Sequence, residues 1–577
     1  MHQQTNQQTT SSERHMIDVL IVGAGPTGLT AAMELARRGI PFRLIEKERA
    51  RSPYSRALAL HARTLELLEL SSAQLADTVV REGYTAPGVN LSAGARHPVV
   101  SDFSTLDTRY PYLLILPQAR TEELLETHLA RLGHTIERGI ELKDLTQDAD
   151  AVIAQLQHVD GQTERVLAGY VLGCDGAHST VRHSLGLPFQ GQDYSWTAFL
   201  GDVKLEGTVA REGLRQFSNE RGLAMVFPFQ DDYSRVVTID IAYQHGSAHE
   251  ALTLDELQDS VNAILPAPTR LSDPLWLTRW SAQLRQVPTY RVGRAFVAGD
   301  AAHIHSPAGG QGLNTGIQDA YNLAWKLALV LRGQAPQNLL DTYQAERHPV
   351  GEQAMRSSDL LLRTTLLPNA AVRTGRNVAV RALVPLPPLQ HLISDNFSGL
   401  GITYHRWDPR AQLRKLIPGA HALQAGDRIP NLELKPAVLT AGTPTSVDLY
   451  AILRQACGAY VLFIDVAPAH IDQDRQHIAR LLEQVKQSAG ETITVCAVLE
   501  QGSEAIAHHV DAAAFIDFKQ QFRHKLGTHH GSILLARPDG YLALHLPGLQ
   551  PERLLSELQR WATLMRLPSA EVATAAG

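Results

Sequence analysis

Hydrophobic positions change period along the chain, and each change marks a different kind of element. Residues 17–22, IDVLIV, are an apolar run with no polar face, the pattern of a strand buried on both sides of a parallel sheet. A glycine-rich turn follows. LTAAMELARRG then carries Leu29, Ala32, Leu35 and Ala36 at helical steps, closed by Gly39, and PFRLIE at 41–46 supplies the next strand. Between residues 191 and 284 the period drops to two: WTAFLGDVKL, LRQFSN, LAMVFPFQ and RVVTIDIAYQ read as short alternating strands of a mostly antiparallel sheet, with DDYS as a turn. Ile317, Ala320, Ala324, Leu327 and Leu331 restore the helical step up to Gly333, while RALVPLPPLQ at 381–390 cannot continue a helix and reads as an extended connector. From about residue 420 a new α/β pattern begins. Strands AYVLFIDV and TITVCAVLE alternate with a helix over 472–488, SILLARPDGYLALHL reads as a hairpin, and 551–566 as a closing helix.

The expected organisation is a leader over 1–15, a first domain from 16–190 and 285–380, a sheet domain over 191–284, a linker over 381–419 and a last domain over 420–577. The leader is Gln-, Thr- and Ser-rich, lacks the apolar core of a signal peptide and reads as disordered. At 577 residues, two or three domains fit the length. With 44% hydrophobic and 19% charged residues the composition is that of an ordinary globular protein. The 53 Lys and Arg against 59 Asp and Glu give a formal charge of -6 and no basic field for nucleic acid. The most apolar helix candidate, AYNLAWKLALVLRG, carries Lys326, and no run reaches the ~18–20 residues of a membrane span. Cys174, Cys457 and Cys496 are far apart, so neither a disulfide framework nor a CxxC pair can be built. A cytoplasmic protein is expected.

The first chemistry lies in GAGPTG, which places Gly23, Gly25 and Gly28 at GxGxxG spacing between a strand and a helix. Gly23 allows the tight turn, Gly25 lets the backbone approach a pyrophosphate, and Gly28 lets helix and strand pack closely, with the helix N-terminus facing the anion. Glu46 ends the second strand 18 residues beyond Gly28, near the position of an acid that grips a ribose hydroxyl. That acid admits FAD or NAD and counts against NADP at this site. Two more segments, YVLGCDGAHSTVR at 170–182 and AFVAGDAAHIHSPAGGQGLNTGIQD at 295–319, each run from an apolar strand into an acid beside glycine. Three segments converging on one crevice demand an extended cofactor, and FAD fits.

These three motifs, with SRALALHARTLELL at 55–68, LPQARTEELL at 116–125 and LLDTYQAERHPVG at 339–351, resemble the single-component FAD-dependent aromatic hydroxylases. SGLGITYH at 398, AGDRIPNLEL at 425 and LLARPDGYLALH at 534 resemble the branch of phenol hydroxylase, pentachlorophenol monooxygenase and the polyketide ring hydroxylases. The resemblance implies an α/β and α+β fold: a para-hydroxybenzoate-hydroxylase-like FAD domain with an interleaved antiparallel substrate sheet, and a C-terminal thioredoxin-like domain. It implies that Glu46, with Lys47 beside it, binds the adenosine ribose, and that Arg56 and Gln118 hold the pyrophosphate and ribityl region. Asp300, after Gly299, would bind the ribityl chain. Asp175 and Arg182 belong to the motif that serves FAD and transient NAD(P)H, and Pro307 with the Gly309–Asn314 loop, including Gly312, Leu313 and Asn314, should line the flavin ring. The helix that starts just after GGQGLN would turn its positive end toward the reduced flavin, where it is worth ~0.3–1 kcal/mol.

The implied activity is hydroxylation of an aromatic, phenolic or polyketide-type substrate by way of a flavin C4a-hydroperoxide, consuming O2 and NAD(P)H. With a single GxGxxG the nicotinamide must dock transiently. Phe217, Met225, Phe227, Phe229 and Tyr243 are candidates for the apolar roof of the substrate pocket, or for packing on the FAD domain. No base is assigned. His303, His305 and Pro307 are candidates by position, His61 is ambiguous between scaffold and chemistry, and phenol hydroxylase's aspartate falls where this chain has Leu58. HxH at 303–305 lacks the companions of a metal site. Arg56 reads as a phosphate contact, Tyr321 and Trp325 as core residues. The last domain, with Cys457 and Cys496 39 positions apart, cannot do thioredoxin chemistry and is expected to be structural or dimer-stabilising, so a homodimer is an open partner state. Three alternatives remain: an antibiotic-inactivating monooxygenase, a non-hydroxylating oxidase or an electron carrier. A halogenase is disfavoured by the missing WxWxIP motif.

Overall fold

The computed structural model describes residues 16–548 apart from 55–56, 93–98, 208–212, 244–249, 307–308, 368, 406–421, 439–443, 467–477, 486, 488–489 and 504–511, together with 553 and 556–557. The expected leader, Arg56, Pro307, part of the linker and most of the closing helix lie outside the described residues.

Ile17–Val22 is the centre of a mostly parallel sheet, flanked by Phe42–Glu46 on one side and Thr163–Gly173 on the other, with Ala295–Val297 beyond. Register makes the strand ends coincide: Val22 pairs with Ile45 and Gly173, and Gly173 with Val297. Gly23, Cys174 and Ala298 therefore leave the sheet at one edge. Helices Pro26–Arg37 and Gln311–Leu331 cover one face, and Thr27 fits between Gly299 and Gly316, where an added Cβ would lie 2.6 and 2.4 Å from its hydroxyl.

The second sheet is built on Gln190–Gly207 and Thr269–Gln286, two 18-residue strands paired antiparallel, followed by Tyr233–Asp240, Gly222–Pro228 and Leu214–Ser218. It extends beyond the expected segment, because Gly88–Ser92 and Val99–Asp102 join its far edge and His303–Ile304 its near one. Phe199, Val203, Phe217, Ala224, Val226 and Val236 pack under the helix Leu254–Ile264. Ala198, Leu200, Met225, Val237 and Ile239 face the other way.

Residues 381–390 are not extended. Helix Ala370–Leu383 ends, the chain turns, and helix Pro387–Ser398 begins with proline at its first positions. A proline that cannot continue one helix is well placed to start another, because its missing N–H is an orphan there anyway.

In the last domain Tyr460–Val466, Ile493–Glu500 and Ala513–Asp517 run parallel, and the hairpin Ile533–Ala536 and Leu542–Leu546 completes the sheet antiparallel. This is the thioredoxin-like arrangement, with Cys457 exposed, Cys496 buried and both free. Its sheet shares apolar cores with the first half: Trp325, Leu329 and Leu339 join Leu462 and Leu535, and Leu67, Leu70 and Tyr321 join Phe463 and Leu534. Tyr321 and Trp325 thus face this interface, as core residues should.

Candidate functional site

The crevice at the strand ends is shaped for a dinucleotide. Gly23 has a φ of 99°, and a Cβ there would lie 2.4 Å from the Cys174 carbonyl oxygen, while one on Gly28 would lie 1.9 Å from the Gly23 carbonyl oxygen. Both positions admit only glycine. A Cβ on Gly25 would meet nothing within 4 Å. Gly25 is also the N-cap of Pro26–Arg37 and no side chain caps that helix, so its first N–H groups are open toward the crevice. A cradle of bare backbone at a helix N-terminus fits a pyrophosphate. Glu46 is oriented beside it by two backbone donors, Ala24 N–H to Oε2 at 2.8 Å and Glu48 N–H to Oε1 at 3.0 Å. Lys47 is exposed at the same edge.

Gln118 is tied to the scaffold at both its backbone and its side chain. It opens the helix Gln118–Arg131, its N–H donates to the Ala57 carbonyl at 3.0 Å, and its side chain turns along the helix to Glu122 at 2.8 Å. Asp175 accepts from the Ser179 hydroxyl at 2.6 Å and from Val181 N–H at 3.1 Å, and burial pushes its carboxyl above the ordinary value against those bonds. Arg182 donates to the carbonyls of Ala177 and Ala301 and lies 4.0 Å over the Phe189 ring. The second motif is therefore an internally braced turn beside the Gly299 loop.

Asp300, in the turn Gly299–Ala301, is exposed beside the first turn of Gln311–Leu331: a Cβ on Gly312 would lie 3.9 Å from its Oδ1. That helix starts after Gly309 and Gly310, whose φ angles of 85° and 63° no bulky residue adopts readily, and it has no side-chain cap. Leu313 is half-buried. The side chain of Asn314 is committed to the scaffold, donating to the carbonyls of Ala59 and Gly310 and accepting His61 N–H.

Beneath this turn lies a cluster that sequence reasoning missed. Asp319, fully buried, accepts from Gly299 N–H at 3.2 Å, from His303 Nε2 at 2.7 Å and from Arg347 Nε at 2.7 Å. Burial alone would raise its carboxyl, but Arg347 and His303 outweigh it and hold it below the ordinary value. The signal was an acid on the apolar stripe Gly316, Ala320, Leu323 of a long helix, where charge is rare unless paired. His303 is thus a scaffold residue. His305 stacks 4.7 Å from it, fully enclosed, and burial, then the neighbouring His303, keep it neutral. The His61 ring bonds the Gly309 carbonyl at 3.0 Å through Nε2, and burial lowers its pKa to about 4. Among the described residues no cluster of His, Cys, Asp and Glu could hold a metal, and no helix is long and apolar enough to cross a membrane.

The sheet candidates divide by face. Phe217 and Tyr243 sit with the helix Leu254–Ile264, Phe217 in register with Ala224. Met225 and Phe227 point the other way, toward Leu361, Leu362 and Leu366, and Phe227 and Phe229 pack beside Leu58 and Ala59. Ala59 abuts the turn before the helix Gln311–Leu331, since a Cβ on Gly310 would lie 3.0 Å from its methyl. Unforeseen on this face are Trp196, Trp276 and Trp280, and a cross-strand row of Trp276, Asp202, Arg235 and Phe227. Arg235 grips Asp202 with two bonds of 2.7 Å and lies 5.1 Å over the Trp276 ring.

A nucleotide cradle at the end of a parallel sheet, joined to a second sheet with an aromatic face, defines a flavoprotein oxidoreductase. The FAD binding domain family model matches residues 16–358, and the chain belongs to that family. It is 36% identical over 540 residues to 6-methylpretetramide 4-monooxygenase of Streptomyces rimosus, covering 91% of this chain and 90% of that one. Pentachlorophenol 4-monooxygenase of Sphingobium chlorophenolicum is 32% identical, over 91% and 93%. The solved structure of an anhydrotetracycline hydroxylase from Streptomyces rimosus superposes with a TM-score of 0.73 at 29% identity, covering 96% of this chain and 100% of that one. The protein is an FAD-dependent flavoprotein monooxygenase, with NAD(P)H as reductant.

Proposed function

We propose that the protein hydroxylates an electron-rich polycyclic aromatic substrate held between the aromatic face of the second sheet and the Gly299–Asn314 loop. The face carrying Trp196, Trp276, Trp280, Met225 and Phe227 supports this reading, because its flat rings offer contact area to a planar substrate while the opposite face is filled by a helix. Leu58 makes the wall beside the loop apolar where phenol hydroxylase has an acid, and the similarity to 6-methylpretetramide 4-monooxygenase over 91% of the chain points to the polyketide type.

In this reading Gly25 and the start of Pro26–Arg37 hold the pyrophosphate, Glu46 the adenosine ribose and Asp300 the ribityl chain. Bound FAD supplies hydride acceptance and the activation of dioxygen. The uncapped N-terminus of Gln311–Leu331 offers N–H groups to charge that gathers on the ring, and the enclosing apolar faces exclude water. Asp319 holds Gly299, and with it the approach of Asp300.

A screen of phenols and polycyclic quinones for stimulated NAD(P)H oxidation, run under labelled dioxygen, tests the proposal. A polycyclic substrate should gain one labelled oxygen atom as a ring hydroxyl. Label arriving from water, or dehydrogenation without oxygen insertion, would overturn it.

A further inference from the structure

The hairpin of the C-terminal domain turns through Arg537, Pro538, Asp539 and Gly540, and this turn is set into the FAD half of the molecule. Arg537 meets Glu346 fork to fork, Nη1 to Oε1 and Nη2 to Oε2, both at 2.8 Å. Glu346 also accepts from Lys326 Nζ at 2.8 Å and from Asn322 Nδ2 at 2.7 Å. Asp539 steadies the guanidinium at 2.6 Å and accepts the Trp325 indole N–H at 3.1 Å. Burial would raise the Glu346 carboxyl, but Arg537 and Lys326 hold it far below the usual range. The network joins two domains through charges that water does not screen.

The next residue along the helix Asp341–Thr365 is Arg347, which holds Asp319 beneath Gly299. Consecutive residues thus serve two sites: Glu346 is gripped by the C-terminal domain, and Arg347 grips the support of the cofactor turn. A second bridge runs in parallel. Tyr404 accepts from Arg347 Nη1 at 3.5 Å, and its ring lies 4.2 Å from that of Tyr541 and 5.0 Å from the Arg537 guanidinium. An apolar contact of the same size would hold two domains together at least as well. What a bidentate ion pair adds is a fixed orientation, here of the helix that carries Arg347 to Asp319.

We infer that Arg537 is a positioning residue for the FAD-binding turn at Gly299 and Asp300, acting through Glu346, Arg347 and Asp319. The C-terminal domain therefore sets cofactor affinity, and by linkage bound FAD stabilises docking of the hairpin by the same factor. The inference rests on the assignment of Asp300 to the cofactor. The test is the FAD dissociation constant from flavin fluorescence and the visible circular dichroism of bound flavin in Arg537→Lys, Asp539→Asn, Arg454→Ala and Asp300→Asn, each with a thermal scan of the apoprotein. Arg454 also joins the domains, donating to the Glu69 carbonyl at 2.7 Å, but lies off the relay.

Arg537→Lys and Asp539→Asn should each raise the FAD dissociation constant about tenfold, within the usual range of site–site coupling, and alter the dichroism, while Arg454→Ala changes neither. Wild-type values in both relay variants, or an equal loss in Arg454→Ala, would overturn the relay alone, provided Asp300→Asn weakens FAD. Unchanged binding in Asp300→Asn would overturn the assignment beneath it. Should Arg537→Lys fail to fold, Asp539→Asn, which keeps side-chain size, decides between the same outcomes.

Discussion

Asn314 and His61 are joined by a 2.8 Å hydrogen bond from the His61 backbone N–H to the Asn314 Oδ1, across 253 residues of sequence. With its two donors on Ala59 and Gly310, Asn314 ties the start of the helix Gln311–Leu331 to the strand Ala59–Leu60. Both amide donors of that side chain are spent on the scaffold, and its oxygen already accepts one backbone N–H. Asn314→Ala should leave the His61 N–H and the Ala59 carbonyl unpaired in a dry site, at about 1–3 kcal/mol for each such group. Denaturant midpoints should fall, and flavin should be lost on dilute gel filtration; a variant keeping stoichiometric flavin and wild-type stability would contradict the role.

The glycine turn separates folding from binding. Gly28→Ala drives a Cβ into the Gly23 carbonyl oxygen and should cost about 1–3 kcal/mol or more, with little folded protein recovered. Gly25 has φ -73° and ψ -177°, open to any residue, and space for a methyl group. Gly25→Ala should therefore fold as apoprotein within about 0.5 kcal/mol of wild type yet bind FAD poorly. Thermal scans with and without added FAD distinguish the two.

What the sequence discloses follows from how local each signal is. Strand, glycine turn and helix over 17–39 are legible because a buried parallel strand, a φ of 99° at Gly23 and the helical step each leave a mark within a few residues. The pairing of Asp319 with Arg347 leaves none, since it joins different helices and only their packing brings the two together. Alternation around Phe217 and Met225 shows that they belong to different faces without showing which face the helix Leu254–Ile264 covers. Proline in RALVPLPPLQ marks a break, and a break is equally the start of the helix Pro387–Ser398. Gln118 illustrates a third case: its place in the chain is beside the crevice, but Glu122 one turn on captures its amide.

The two faces of the sheet predict opposite phenotypes. Phe217→Ala empties a packed site under the helix Leu254–Ile264 and should cost about 3–5 kcal/mol of stability with KM for the aromatic substrate unchanged. Phe227→Ala borders the proposed pocket and should lose less stability but raise KM and the fraction of NAD(P)H consumed without product. Hydroxylated product counted against reductant consumed checks this, and the reverse pattern would place the pocket on the helix side.

His61 is buried, and burial lowers its pKa from 6.5 to about 4 despite the bond to the Gly309 carbonyl. A depressed folded-state value means that the unfolded chain takes up a proton first as pH falls. Stability is therefore full above pH 6.5 and is lost between 6.5 and about 4, by up to about 3 kcal/mol for this one group. His305, also lowered by burial, adds to the loss in the same direction. Carboxylates held below their ordinary value act lower: Glu34, where Arg37 and Arg38 outweigh the burial that would raise it, is held down to about 2, so its contribution disappears only below 4.5. Carboxyls raised by burial, such as Asp175, act in the opposite direction to the histidines, so the His61 share of the slope is read by comparing urea midpoints of wild type and variant from pH 7 to 4.5. His61→Gln, whose amide can still donate to Gly309, should flatten that slope without abolishing it and leave the midpoint at pH 7 close to wild type. An unchanged slope would mean that His61 is reached by water and protonated in the folded protein, and the Gly309–Gly310 turn above it would then be more open than the 3.0 Å contact to His61 indicates.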